Sequence, residues 1–106
     1  MSRKQALQKL LQCVELGDLT RVSGDDVYNG FASHRQAFFV GTFNGSLDTA
    51  KALHEAVLPG WAFAIGVSFA EVWKTNRVAY SAEILDRPAR AWLTAIIKAL
   101  IAECRE

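Results

Sequence analysis

The chain has 106 residues, of which 51% are hydrophobic, and twelve basic against eleven acidic side chains leave a formal net charge of +1. This length allows one domain, residues 1–106, whose core needs no disulfide or metal. The near-neutral charge argues against nucleic-acid binding of the usual electrostatic kind. No apolar run approaches the ~20 residues of a membrane span, and no secretory signal follows the basic N-terminus. We therefore expect a soluble cytoplasmic protein that does not bind a membrane.

The first predicted helix spans residues 3–16, with Ser2 as its N-cap and Gly17 as the left-handed residue that ends it. Apolar side chains at helical spacing form one stripe. They are Leu7, Leu10, Leu11 and Val14. This stripe is expected to face the core.

The pattern is weaker from residue 18 to residue 35, where turn residues alternate with isolated apolar ones. A short helix capped by Ser23 is one reading, and it would bury Val27 and Phe31 at positions i and i+4. Tyr28 is then available as a surface aromatic.

A second clear helix is predicted over residues 47–58. Ser46 can cap it, and Asp48 places a negative charge at the positive end of the helix dipole. Pro59 and Gly60 end the helix, because a residue before proline disfavours the helical conformation and Pro-Gly is a turn pair.

Strands are predicted on both sides of this helix. Residues 36–43 are rich in aromatic and β-branched side chains, which favours a strand. Large and small residues alternate over residues 61–69, and residues 71–74 and 77–85 follow with strand-like patterns. The fold class predicted is therefore α+β, with an antiparallel meander of three to four strands packed with about three helices in a single compact domain.

The last predicted helix spans residues 87–104, with Asp86 as its N-cap and Pro88 in its first turn. Its apolar side chains spread around more than the ~100° stripe that packing on one side needs. They are Ala89, Trp92, Leu93, Ile96, Ile97, Leu100, Ile101 and Cys104, with Arg90, Thr94 and Lys98 expected on the solvent side. This excess of apolar surface predicts a homodimer in which Trp92 and Ile101 lie in the contact.

The segment from Ser46 to Ala102 resembles a group of small phage and prophage proteins. The resemblance lies in three motifs, Ser46-Leu47-Asp48-Thr49-Ala50, Leu58-Pro59-Gly60-Trp61 and Pro88-Ala89-Arg90-Ala91-Trp92-Leu93. They are similar to motifs of the phage ABA-sandwich type of domain, in which a sheet lies between helical layers. The resemblance implies that fold and a phage or prophage origin, hence a host-cell cytoplasm, and it implies no activity.

The chain contains no catalytic, metal-binding or phosphate-binding motif, so we expect no enzyme activity and no cofactor. His54 is expected to be a buried histidine bonded to backbone or water, and Asp25-Asp26 to form a helix N-terminus rather than a cation site. Cys13 and Cys104 are expected as two reduced thiols rather than a disulfide.

The leading functional hypothesis is a non-enzymatic accessory protein that binds a host or phage macromolecule, and inhibition of a host defence system is one role that the resemblance allows. Candidate contact residues are Trp92, Ile101, Trp73, Tyr80, Lys74 and Arg77. A small-molecule site lined by Tyr28, His34 and Arg35 is the alternative. A nucleic-acid-binding module using Trp73 and Tyr80 as exposed aromatics is a weaker one.

Overall fold

The computed structural model describes residues 2–31, 36–74 and 79–104. Within these residues the chain forms five helices and three strands. In order they are α1 (Arg3–Leu16), α2 (Gly24–Phe31), α3 (Gln36–Phe43), α4 (Leu47–Val57), β1 (Ala62–Ile65), β2 (Phe69–Trp73), β3 (Tyr80–Glu83) and α5 (Pro88–Glu103). The predicted α+β class is confirmed, with more helices than the three expected.

Helices α1 and α4 begin where their local signals predict. The Ser2 hydroxyl accepts a hydrogen bond from the Gln5 backbone N–H at 3.2 Å, and the Gln5 side chain accepts one from the Ser2 backbone N–H at 3.1 Å. This reciprocal capping box satisfies N–H groups that have no partner inside the helix. Gly17 ends α1 with a φ of 72°. Ser46 caps α4 by accepting from the Thr49 N–H at 3.1 Å.

Helix α2 confirms the reading of Ser23 as an N-cap. Its hydroxyl accepts from the Asp26 backbone N–H at 3.2 Å, and the Asp26 carboxylate accepts from the Ser23 backbone N–H at 3.0 Å. The same carboxylate lies 3.0 Å from the Lys9 ammonium. Val27 and Phe31 are buried, as predicted. Asp26 therefore has its partners within the chain.

Residues 36–43 form helix α3, so the strand predicted there is wrong. Phe39 and Phe43, at positions i and i+4, are buried on one side of this helix. The Phe39 ring lies 6.1 Å from the Phe31 ring, and the Arg90 guanidinium lies 3.9 Å from the centre of the Phe43 ring. Tertiary packing of these aromatics decides the helix against their strand preference.

The three strands form an antiparallel meander in the order β1-β2-β3. The strand predicted over residues 61–69 is broken, because the chain turns at Gly66, whose N–H donates to the Phe69 carbonyl at 2.9 Å. The register places Phe63, Ile65, Ala70, Val72, Tyr80 and Ala82 on the inner face. The outer face carries Ala62, Ala64, Phe69, Glu71, Trp73, Ser81 and Glu83.

Helix α5 is the centre of the molecule. It packs against β2 and β3 and also against α1, α3 and α4. Thr94, expected on the solvent side, is 2% exposed, and its hydroxyl donates to the Arg90 carbonyl at 2.9 Å. A helix surrounded on most sides needs an apolar surface on most sides, which explains the wide apolar surface of its sequence. The Cα radius of gyration, 12.3 Å, is close to the ~13 Å of a compact domain of about 100 residues.

The start of α5 differs from the prediction. Arg87 occupies the N-cap position and makes no side-chain capping bond. Asp86, predicted as the cap, has a φ of 56°, a left-handed conformation that aspartate adopts more readily than most residues. Its backbone N–H donates to the Ser68 hydroxyl at 3.0 Å, so Asp86 turns the chain from the sheet into the helix.

Candidate interaction surface

The outer face of the sheet lies on the side away from helix α5. Within the described ranges, α5 is the helix that packs on β2 and β3, and it lies on the inner face. At one end of the sheet stand Val67, Phe69 and Leu85, which are 74%, 44% and 79% exposed. We call these three residues the sheet-end patch. Phe69 and Leu85 line one cavity there, and exposed apolar side chains grouped in this way are a feature of contact surfaces.

Hydrogen bonds hold the two chain segments that carry the sheet-end patch. The Ser68 carbonyl accepts from the Ile84 N–H at 2.9 Å, and the Ser68 hydroxyl accepts from the Asp86 N–H at 3.0 Å. The Phe69 ring lies so close to Gly66 that a Cβ atom there would overlap the ring. These hydrogen bonds and this ring contact hold the backbone of the sheet-end patch in a defined conformation.

A shallow cavity of about 460 Å³ lies beside the sheet-end patch, lined by Ser68, Phe69, Glu83 and Leu85. Glu83 stands directly opposite Phe69 in the register of β2 and β3. Glu83 also lies in the lining of this cavity, so a carboxylate borders the apolar surface. This combination suits an apolar group flanked by positive charge.

Trp92 does not lie in a free contact surface. It is 3% exposed, and its indole N–H donates to Nδ1 of His54 at 3.2 Å. The Phe63 ring lies 4.6 Å from the Trp92 ring. Ile101 is half-buried against the core. Trp92 is therefore a core residue and not the centre of a dimer contact, because α5 is covered by other elements of its own chain.

His54 joins α4, α5 and the start of β1. An indole N–H can only donate, so Nδ1 of His54 is the acceptor and carries no proton. The protonated Nε2 then donates to the Trp61 carbonyl at 3.0 Å. Burial lowers the pKa of His54, while its bond to Trp61 and the charge of Glu55 oppose that shift. Both ring nitrogens are in use, so His54 is a neutral structural residue.

The other predicted contact residues are not brought together. Trp73 lies on the outer face of the sheet, whereas Tyr80 lies on the inner face, where its ring is 6.3 Å from that of Trp61. Lys74 is exposed just after β2. Arg77 lies outside the described residues. Because Trp73 and Tyr80 are on opposite faces, they cannot form one aromatic platform for nucleic acid.

The predicted small-molecule site is described only at Tyr28, which is 45% exposed on α2. His34 and Arg35 lie outside the described residues.

In the part of the chain that the structure describes, no group of three or more His, Cys, Asp or Glu side chains could hold a metal ion. Cys13 is buried, Cys104 is half-buried, and both are free thiols. None of the described helices is both long enough and apolar enough to cross a membrane.

The sheet-end patch was not predicted. Val67 and Phe69 belong to the alternating pattern that indicated one long strand with a buried bulky face, and Leu85 closed the last predicted strand. The available signal was Gly66 with Ser68, a pair of turn-forming residues inside that strand.

Comparison of the chain with models of protein families, with curated proteins and with solved structures finds no match.

Proposed function

We propose that this protein is not an enzyme and acts by binding another protein through the sheet-end patch. The observation that carries the proposal is the exposure of Val67, Phe69 and Leu85 on segments that Ser68 ties together. Exposed apolar side chains gain free energy when a partner removes them from water. Their fixed arrangement reduces the entropy lost on binding.

The charges around the patch define the chemistry of the partner. Glu83 lies in the wall of the cavity, so a contact surface with an apolar side chain beside a lysine or arginine fits best. Opposite charges at the edge of a contact increase the rate of association and select against acidic partners.

The origin of the protein is a second part of the proposal, and it rests on the sequence resemblance from Ser46 to Ala102. On that basis we propose a phage- or prophage-encoded accessory protein in the host cytoplasm. A host or phage macromolecule would then be its partner, and a component of a host defence system is one candidate.

The proposal predicts that Leu85→Glu weakens partner binding strongly. Affinity capture from producing cells should retain a protein with the wild-type chain and lose it with this variant, with the dissociation constant raised at least about tenfold. Leu47→Glu is the matched control, because Leu47 is 45% exposed at the start of α4, where a negative charge is favourable.

Circular dichroism and thermal unfolding should show both variants folded. Capture that is equal for Leu85→Glu and the wild type would contradict the proposal, as would equal loss in both variants. Retention of a nucleic acid in place of a protein would also contradict it.

A further inference from the structure

The two edges of the sheet differ in how their backbone groups are used. On β3, the hydrogen bond from the Ile84 N–H to the Ser68 carbonyl shows which residues direct their backbone N–H and C=O groups toward β2. In an antiparallel pair, bonded residues alternate, so the backbone groups of Ser81 point to the open edge. The Lys98 ammonium donates to the Ser81 carbonyl at 3.0 Å. A lysine at this position discourages another strand from pairing with β3.

Among the described residues, none covers the edge of β1 in this way. The Gly66 N–H donates to the Phe69 carbonyl. Bonded residues alternate along the strand, so the backbone N–H and C=O groups of Ala64 and Ala62 also point toward β2. The backbone groups of Phe63 and Ile65 point away from β2, to the open edge. No described residue makes a hydrogen bond to these two N–H and two C=O groups. Within the described part of the chain, these four groups are therefore free to pair with a further strand.

The sequence of β1 also lacks the features that keep an edge strand single. Ala62, Phe63, Ala64 and Ile65 include no charged residue and no proline. Phe63 remains 40% exposed although its ring contacts Trp92. An uncharged edge with unpaired backbone groups is suited to an equally uncharged strand.

We propose that this strand is β1 of a second copy of the chain, paired antiparallel about a two-fold axis at Ala64. This register places Phe63 opposite Ile65 of the second copy, and the reverse, so all the outward N–H and C=O groups of both chains form hydrogen bonds. A register centred on Phe63 would instead require the backbone of Trp61. The Trp61 carbonyl already accepts from His54 at 3.0 Å.

The side chains fit the same register. On the outer face, Ala64 meets Ala64 of the second copy, and no bulky group separates the strands. On the inner face, Ile65 of the second copy covers the exposed part of Phe63. The axis is perpendicular to the sheet, so the helices of both copies lie on one side of a six-stranded sheet, and the outer face stays open.

The dimer can be tested separately from the proposed function, because β1 is an edge and the sheet-end patch lies at the turn and on the outer face. Leu85→Glu should leave the dimer intact. Light scattering on the wild-type protein at about 100 μM, well above common micromolar dissociation constants, should give twice the mass of the chain. A monomer at that concentration would overturn the proposal.

Ala64→Lys should produce a monomer under the same conditions. In the single chain, residue 64 pairs with Glu71, so a lysine there gains an opposite charge on β2. In the dimer, two lysines would stand opposite each other. Ala62→Lys is the control, because residue 62 lies opposite Gly66 of the second copy and should leave the dimer intact.

A cysteine pair tests the register directly and does not depend on the lysine variant folding. In a Cys104→Ser background, Ala64→Cys should form a disulfide-linked dimer under mild oxidation, because non-hydrogen-bonded antiparallel residues have Cα atoms ~4.5 Å apart. Ala62→Cys should cross-link at least about tenfold more slowly. Equal cross-linking of both, or none by Ala64→Cys, would overturn the proposed pairing.

Discussion

At the scale of single residues, the protonation of His54 links the stability of the fold to pH. Folded His54 is neutral, because Nδ1 accepts from Trp92 and burial lowers its pKa below the ordinary 6.5. As the pH falls, the unfolded chain therefore takes up this proton before the folded chain does. The contribution of His54 is full above the unfolded pKa and declines as the pH falls through it.

We predict that His54→Leu destabilises the protein by about 1–3 kcal/mol at pH 7.5, because it leaves the Trp92 N–H buried without an acceptor. The difference in free energy of unfolding between wild type and variant should narrow between pH 7.5 and pH 5. Urea unfolding at several pH values measures it. A difference that stays constant would show that His54 does not titrate differently in the two states.

At the scale of elements, helices α1 and α2 meet at Gly30. A Cβ atom at this position would lie 2.9 Å from Cδ1 of Leu10 and 3.3 Å from Cδ2 of Leu7. The Gly30 carbonyl also accepts from Nε of Arg3 at 2.9 Å. Glycine is needed at this position for close approach, because both leucines are buried and have little room to move.

Gly30→Ala is expected to destabilise the protein by about 1–3 kcal/mol through overpacking, which exceeds the gain of about 1 kcal/mol in helix propensity. Asn29→Ala, at an exposed position of the same helix, should stay within about 0.5 kcal/mol. Chemical denaturation measures both variants. A more stable Gly30→Ala protein would contradict the close approach of α1 and α2 at Gly30.

At the scale of the whole molecule, α5 connects the layers. Its side chains contact the sheet and three other helices, and Leu93, Ile96 and Ile97 are completely buried. A smaller side chain in this helix therefore removes packing contacts with both the sheet and the other helices. Ile65, in contrast, lies at the margin of the core on an edge strand and is only half-buried.

Leu93→Ala is expected to cost about 2–5 kcal/mol, and Ile65→Ala less, because a half-buried side chain leaves a smaller cavity. Lys51→Ala should stay within about 0.5 kcal/mol, since Lys51 is exposed and its nearest carboxylate, Glu55, is 3.9 Å away. Thermal unfolding ranks the three variants. Equal effects of Leu93→Ala and Lys51→Ala would contradict the central position of α5.

Several elements could be predicted from the sequence because their signals are local. The helix predicted over residues 3–16 is α1, residues 47–58 contain α4, and residues 87–104 contain α5. Caps such as Ser2 and Ser46 bond within their own first turn and need no distant partner. The meander followed from strand-like segments separated by short connections.

The sheet-end patch could not be predicted, because exposure depends on which elements cover a residue. Val67 and Phe69 have the same apolar character as Ile65. They do not lie on the inner face, because the turn at Gly66 interrupts the strand that was predicted over residues 61–69. Leu85 is exposed because Asp86 turns the chain away from the sheet in a left-handed conformation.

By itself, the sequence determined the α+β class and the ends of the capped helices, since both depend on residues close together in the chain. Tertiary structure alone decided that residues 36–43 are a helix and that Trp92 is in the core. A phenylalanine-rich segment can bury its rings in either conformation, and the packing of Phe39 against Phe31 selects one. An apolar α5 suits a dimer contact or a central position equally well, and the presence of the sheet on one side and helices on the other makes it central.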